Sequence, residues 1–272
     1  MTIELKSAAE LRLMRKAGLV VAEGLEAMCA AAAEGVTTAE LDAVGREVLA
    51  RNSAESSFYD YGSIWGNGFP GVACISVNDE LVHGVPGERV LRDGDLVSID
   101  FGAIVEGWHG DAARTIVVGT PSAEDLALID ATREAMWAGA RAMRAGGRVG
   151  DVSRAIEDYV KSLPVRYGTL REYTGHGIGS EMHMDPDVPN WYRRRPTPKL
   201  AVGMALAIEP MLTTGLHQTI ELDDGWTVVS RDASRGAHWE NTVAITERGL
   251  WVLTEPDGGA GRLGDLFGPL GD

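Results

Sequence analysis

Apolar residues recur at helical spacing in four segments of the chain. Ser7 and Thr37 each stand three residues before a glutamate, and this capping box predicts the start of a helix. Ser122 is expected to cap a third, longer helix that ends at Gly146, and a shorter helix is predicted over about 152–163. The predicted helices therefore form two pairs, one in each half of the chain.

Strand-like segments follow each pair of helices. They cover about 58–119 and return after the fourth helix, so the order helix, helix, strands occurs twice. This order predicts an α+β fold in a single domain over residues 1–254, with halves at about 1–120 and 121–254. The segment 255–272 is rich in Gly and Pro, which predicts a flexible tail.

The duplication extends to acidic residues at matching positions. Leu91–Asp100, "LRDGDLVSID", aligns without a gap with Leu200–Glu209, "LAVGMALAIE". Both segments carry Leu, Gly and Ile at the same positions and end in an acid. A second acid follows in each half, Asp111 in the first and Glu240 in the second. Two halves packed about a pseudo-two-fold axis would bring all four carboxylates to the middle.

Histidines accompany these acids. "HGV" at His83 echoes "HGI" at His176, and His183 lies in the same glycine-rich segment as His176. The short polar segments around these three histidines favour a site over burial in the core. The remaining histidines are interpreted as turn or surface residues that lack a counterpart in the repeat: His109, His217 and His238.

Four converging carboxylates require cations, because they raise one another's pKa and cannot all stay ionised alone. Two divalent ions would balance them formally, with one carboxylate of each half as a bridge. Oxygen ligands with one imidazole suit Mn, Fe(II), Co or Zn, whereas a structural zinc site would need a thiolate cluster. A single acid at a strand end is commonly a turn former, but the gap-free repeat favours a shared site.

Composition and charge narrow the class of protein. The chain has 272 residues with 25 Lys and Arg against 40 Asp and Glu, a net charge of −15. This charge argues against nucleic-acid binding and favours a substrate with a cationic end. Cys29 and Cys74 lie in unlike settings, so no disulfide framework is expected. The sequence has neither a signal-peptide pattern nor a membrane span, and a cytoplasmic location is expected.

Seven short motifs run from about Leu5 to Thr254: "LVHGVP", "SIDFG", "GWHGDAART", "TGHGIG", "MHMDP", "AIEPM" and "HWENTVAIT". In these motifs the chain resembles the methionine aminopeptidases, specifically the bacterial type I enzymes of the short form without an N-terminal extension. Glu209 and Glu240 are 31 residues apart, which leaves no room for the helical insertion of type II enzymes. The resemblance implies the pita-bread fold, in which two pseudo-symmetric αβ halves surround a central antiparallel sheet with helices outside.

The resemblance also implies a set of site residues. Asp111 and Glu240 match the carboxylates that bridge two metals, and Glu209 matches the carboxylate that takes a proton from the nucleophile. His83 and His183 match two histidines that contact the substrate and the transition state. The implied ligands of two divalent metal ions are Asp100, Asp111, His176, Glu209 and Glu240.

The implied reaction is removal of N-terminal methionine from nascent proteins and peptides by a hydroxide that bridges the metals. Phe69 stands where the family usually has a tyrosine, and Met182 where a phenylalanine is common, so the shape of the methionine pocket is expected to differ. By motif position, the walls of that apolar pocket include Phe69, Cys74, Met182 and Trp226.

Three alternatives stay open at this point. A proline-directed aminopeptidase or dipeptidase would share the fold and ligands, but such relatives usually carry a sizeable N-terminal domain. A non-catalytic binding protein on the same scaffold would have lost ligands, and a structural protein would leave the acid repeat unexplained. The expected partners are nascent peptides and, transiently, the ribosome, without DNA or membrane binding and with a monomeric state.

Overall fold

The structure is a computed structural model that describes residues 3–64 and 66–271. Helices α1 and α2 begin where the sequence predicts, because the side chains of Ser7 and Thr37 each accept a hydrogen bond within a complete capping box. The third helix ends before Gly146, which lies in the following turn with a φ of 84°. Within the described residues the helices are α1 (Ala8–Ala31), α2 (Thr38–Arg51), α3 (Ala123–Ala142), α4 (Val149–Ser162) and α5 (Ala260–Leu263), with a 3-10 turn at Gly264–Leu266.

The strands of the described chain are short except for one long hairpin. Those of the first half are β1 (Glu55–Ser56), β2 (Ala73–Val77), β3 (Glu80–Val82), β4 (Leu96–Val105) and β5 (Trp108–Val117). Those of the second half are β6 (Gly168–Thr169), β7 (Gly175–Gly177), β8 (Met184–Val188), β9 (Ala205–Ile208), β10 (Met211–Thr213), β11 (Thr219–Glu221), β12 (Val228–Ser230), β13 (Gly236–His238), β14 (Asn241–Thr246) and β15 (Gly249–Val252).

Both halves use the same strand order. In the first half β4 pairs with β5 on one side and with β1 and β2 on the other, all antiparallel. In the second half β9 lies between β14 and β7, again antiparallel, with β15 and β8 at the edges. The order β5-β4-β2 therefore corresponds to β14-β9-β7, and the duplicated architecture predicted from the sequence is confirmed.

The two halves join where β5 meets β14. The backbone N–H of Asp111 donates to Thr242 Oγ1 at 3.1 Å, and that hydroxyl donates to the Asp111 carbonyl at 2.8 Å. The backbone N–H of Glu240 donates to the Ala113 carbonyl at 3.0 Å. Each second acid of the repeat is thus fixed to the opposite half by its own backbone.

Helices cover the outer faces of the sheets. Apolar residues of α1 and α2 pack on β2 and β4 to form the core of the first half. Those of α3 and α4 pack on β9 and β14 to form the core of the second half. Phe101 is fully buried against α1, where Gly24 leaves room for its ring. No helix of the described chain has both the length and the apolar composition that a bilayer crossing needs.

The segment after Thr254 packs more closely than its Gly and Pro content suggests. Leu263 is 4% exposed within the core of the second half, and Phe267 packs against the same core. Phe267 also forms a parallel bridge with Leu250, and the Gly268 carbonyl accepts a hydrogen bond from Thr246. Two apolar side chains therefore hold a segment in which positive-φ glycines supply the turns.

Helix α1 lies so close to the chain after β15 that one added methyl group on the helix should lower the stability of the fold. A Cβ built on Gly18 would lie 2.1 Å from the backbone carbonyl oxygen of Leu253. We expect Gly18→Ala to lower the free energy of unfolding by about 1–3 kcal/mol, as for other overpacked sites, despite the helix preference of alanine. Urea unfolding in the presence of a chelator measures this loss. Gly87→Ala is the control, since its Cβ would meet no atom within 4 Å, and an equal loss in both variants would contradict the prediction.

Candidate metal centre and substrate pocket

A cavity of about 650 Å³ opens between the two halves of the structure. Its lining includes all the residues that the sequence analysis proposed for the site: His83, Asp100, Asp111, His176, His183, Glu209 and Glu240 at its polar end, and Phe69, Cys74, Met182 and Trp226 at its apolar end. The structure therefore brings together residues that are spread over most of the chain.

The four acids reach the cavity from the ends and middles of the paired strands. Asp100 lies on β4, opposite Ala113, and Asp111 lies on β5, opposite Gly102. Glu209 directly follows β9, and Glu240 directly precedes β14, its neighbour in the second sheet. Because the two sheets meet at β5 and β14, the acids of both halves face one space.

His176 is held in the tautomer that a metal ligand requires. Its Nδ1 lies 2.9 Å from the Gly177 carbonyl oxygen, which can only accept, so Nδ1 carries the proton. Nε2 is then left with a free electron pair, and it lies 3.5 Å from Glu209 Oε1. The ring of His183 packs beside it, with 4.3 Å between the ring centroids.

Burial and mutual repulsion oppose the simultaneous ionisation of the four acids. Burial, with the charges of Asp111 and Glu209, raises the pKa of Asp100 and of Glu240 well above the usual range. Burial raises the pKa of Asp111 to about 7. The pKa of Glu209 is also raised, first by burial and then by the charge of Asp111. Bound cations would offset this effect, since nearby positive charge favours the ionised form of a carboxyl group.

The histidines of the site favour the neutral form. Burial lowers the pKa of His176 to about 3, and the charge of His183 adds to this effect. Burial likewise lowers the pKa of His83 and of His183 to about 4. A neutral imidazole can bind a metal through one nitrogen or donate a hydrogen bond through the other.

Several donor atoms are suited to a cation. Asp100 Oδ1, Asp111 Oδ1 and Glu240 Oε1 are buried and find no hydrogen-bond partner among the described residues, although buried polar atoms nearly always have one. One ligand atom from each of Asp111, His176 and Glu240 lies within 4.8 Å of the others. Carboxylate oxygens with an imidazole nitrogen are donors that divalent first-row metals accept, so the residues present fit such ions.

The apolar end of the cavity is built from residues of both halves. Phe58, Phe69, Cys74 and Met182 form one buried cluster, with Trp226 packed against it. The Trp226 ring lies edge-on to Phe69 at 5.4 Å between centroids. Phe58 also lies edge-on to Phe69, at 6.5 Å. These side chains surround a space that an unbranched apolar side chain could fill.

The sequence interpretation of His238 as a turn or surface residue is wrong. Its side chain is 2% exposed and lines the cavity, and its Nε2 lies 3.4 Å from Glu209 Oε2. The repeat carries a signal for it, because His109 and His238 each stand two residues before an aligned acid, Asp111 or Glu240. Alternate residues of a strand share a face, so such a histidine can accompany its acid into a site.

Two tyrosines outside the motifs also line the cavity. Tyr61 Oη lies 2.7 Å from Nδ1 of His183, and the ring of Tyr173 lies edge-on to His83 at 5.5 Å between centroids. Tyr173 directly precedes the "TGHGIG" motif, whereas Tyr61 has no motif near it that could have marked it. Only the contacts in the folded structure therefore identify these two tyrosines as residues of the site.

Comparison with known proteins connects this geometry to a family. The profile of metallopeptidase family M24 matches residues 12–247. Methionine aminopeptidase 1 from Mycobacterium tuberculosis is 49% identical over 254 residues, which cover 92% of this chain and 94% of that protein. The crystal structure of methionine aminopeptidase from Thermotoga maritima matches with a TM-score of 0.88 and 37% identity, over 93% of this chain and 100% of that one.

Proline-directed relatives are more distant. Prolidase from Pyrococcus furiosus matches with a TM-score of 0.72 at 24% identity, and this chain covers only 65% of it, so the likeness concerns the fold alone. Membership of family M24 implies divalent metal ions, in agreement with the cluster of donor atoms. The chain has the pita-bread fold and belongs to metallopeptidase family M24 and, within it, to the methionine aminopeptidases.

Proposed function

We propose that this protein removes the N-terminal methionine from nascent proteins and peptides in a reaction that depends on two divalent metal ions. The observation that carries this proposal is the meeting of four acids and a ligand-type histidine, from both halves, beside an apolar pocket. A cytoplasmic location, a monomeric state and transient proximity to the ribosome are parts of the same proposal.

The proposed ligands are Asp100, Asp111, His176, Glu209 and Glu240. Asp111 and Glu240 would hold the cations from the place where β5 meets β14, since the backbone N–H of each is bonded to the opposite half there. When bound, the cations supply Lewis acidity and lower the pKa of water, so that a nucleophile is available at neutral pH. Co, Mn, Fe(II) and Zn all suit this set of oxygen and imidazole donors.

Two parts of the substrate would be recognised, the methionine side chain and the free amino group. The apolar wall formed by Phe69, Cys74, Met182 and Trp226 would take the methionine side chain, and Met182 is flexible enough to pack around a thioether. Among the described residues, the cavity lining contains acids and neutral groups but no Lys or Arg. A negative cavity favours the positively charged amino end of a peptide.

Proton transfer is assigned to Glu209. Its carboxylate lies 3.5 Å from His176 Nε2, at the polar end of the cavity, and burial raises its pKa. Once bound cations favour its ionised form, the carboxylate can accept a proton as a general base. Glu209 would take a proton from the attacking water and return it to the leaving amine.

The two catalytic histidines are assigned to charge stabilisation. His183 would donate a hydrogen bond to the carbonyl oxygen of the scissile bond as negative charge develops there. His83 would assist the scissile nitrogen, and its ring is held edge-on by Tyr173. Desolvation lowers the pKa of each imidazole to about 4, which favours the neutral ring that can donate one hydrogen bond.

Replacement of Glu209 by glutamine is expected to abolish most turnover. Glu209→Gln keeps the side-chain volume but removes a proton acceptor and a charged ligand, so kcat should fall by about 10²-fold or more. Release of methionine from a peptide gives the rate, and circular dichroism checks the fold. Glu247→Gln, on an exposed turn, is the matched control and should retain full activity. Unchanged turnover in Glu209→Gln would rule out the proposed role.

Metal content should distinguish the alanine variants of His176 and His183, whose rings pack against each other. We expect His183→Ala to lower kcat by about 10²- to 10³-fold, through loss of a hydrogen-bond donor, while metal content stays near that of the wild type. His176→Ala should instead lose metal, because it removes a ligand. Elemental analysis after dialysis measures both, with His217→Ala as a control. Metal loss in His183→Ala would mean that the ligand role belongs to the other histidine.

A matched peptide pair tests the reaction against the proline-directed alternative. Metal-stripped protein is incubated with Met-Ala-Ser or Ala-Pro-Ser, with and without added Co or Mn, and free amino acids are measured. We expect release of methionine only when metal is added, because the acids need cations to form a working site. Cleavage of Ala-Pro-Ser alone would favour the proline-directed activity. Metal uptake without cleavage of either peptide would favour a binding protein.

A further inference from the structure

The hydroxyl of Tyr61 contacts a catalytic histidine on the side away from its reacting nitrogen. Tyr61 Oη lies 2.7 Å from Nδ1 of His183, within ordinary hydrogen-bond distance. The two rings meet edge to face, with 5.2 Å between their centroids. His183 has two ring nitrogens, and this contact leaves Nε2 as the one that can reach a substrate.

The loop that carries Tyr61 is fastened to the wall of the methionine pocket. The backbone N–H of Tyr61 donates to the Phe58 carbonyl, and the Tyr61 carbonyl accepts from the N–H of Phe69, both at 2.9 Å. The N–H of Asp60 donates to the Phe69 carbonyl at 2.9 Å. Gly68 completes a tight crossing, since a Cβ there would lie 2.8 Å from Asp60 Cα. Tyr61 is therefore held by backbone bonds on both sides.

The contact between Tyr61 Oη and Nδ1 of His183 allows two directions, because a phenol can either donate or accept a hydrogen bond. A neutral imidazole carries one N–H, so one nitrogen donates and the other accepts. Burial raises the pKa of Tyr61, and the phenol keeps its proton at neutral pH. A phenol that donates to Nδ1 places the imidazole proton on Nε2, which then can donate to the substrate.

We propose that Tyr61 is a positioning residue that donates its hydroxyl proton to Nδ1 of His183 and so keeps the Nε2–H tautomer ready for the substrate carbonyl. This role rests on the proposed function, because it gives Nε2–H a task only if His183 stabilises the developing oxyanion. As a positioning residue, Tyr61 acts on the reaction through His183.

Loss of the hydroxyl should therefore reduce turnover only while His183 is present. We expect Tyr61→Phe in metal-loaded protein to lower kcat about tenfold or more, the usual effect of removing a group that orients a site residue, with KM within about twofold. In a His183→Ala background, Tyr61→Phe should have no further effect, because the group it orients is gone. Unchanged kcat in the single variant, or losses that multiply in the double variant, would overturn the proposal.

Tyr59→Phe is the matched control for the loop. Tyr59 is 58% exposed, and its ring lies under the guanidinium of Arg46, so loss of its hydroxyl leaves that stacking intact. We expect its kcat, KM and metal content to equal those of the wild type. An equal fall in kcat in Tyr59→Phe and Tyr61→Phe would indicate a general effect of the loop and would overturn the specific role of Tyr61.

Nitrogen NMR tests the tautomer without any turnover. In zinc-loaded protein with ¹⁵N-labelled histidine, two-bond correlations of His183, assigned by comparison with His183→Ala, should show the Nε2–H tautomer in the wild type. The Nδ1–H fraction should rise in Tyr61→Phe. An Nδ1–H tautomer in the wild type would overturn the proposal, even if the protein releases methionine. If the tautomer is as expected but no peptide is cleaved, the proposed function fails instead.

Discussion

The packing of four carboxylates into one buried cavity is the constraint on which the rest of the structure depends. Isolated buried charges cost several kcal/mol each, so the acids are stable there only when protonated or held by cations. Each half supplies two of them, which means that neither half can form the site alone. The metal centre therefore forms only when β5 and β14 hold the two halves in the right relative position.

Polar groups behind the carboxylates hold this junction of β5 and β14. Thr242 bonds both backbone groups of Asp111, and the partly buried guanidinium of Arg114 donates to the backbone carbonyl of Glu240. Arg114 also donates to the side chain of Glu255, at 2.7 Å, in the segment that follows the repeated halves. Burial lowers the pKa of Arg114, and the negative charge of Glu255 raises it again. Glu255 therefore stabilises the positive charge of the guanidinium that bonds to Glu240.

Much of this arrangement can be predicted from the sequence because it is local or repeated. Helix caps such as Ser7 depend on residues three positions apart, and the repeat carries Asp111 and Glu240 to equivalent places. The contact between Tyr61 and His183 joins residues 122 positions apart without a motif around Tyr61, so no local pattern could reveal it. The packing of Phe267 likewise depends on a surface that only the folded second half provides.

The loop from Phe58 to Phe69 links recognition to chemistry. Phe58 and Phe69, at its ends, belong to the apolar wall with 6.5 Å between their ring centroids, and Tyr61, near its start, carries the hydroxyl that contacts His183. A backbone hydrogen bond joins Phe69 to Tyr61, so a change in the wall is expected to alter the contact between Tyr61 and His183. In the proposed reaction, Phe69 would therefore be part of the structure that orients His183, and residues of this wall would influence kcat as well as the fit of the methionine side chain.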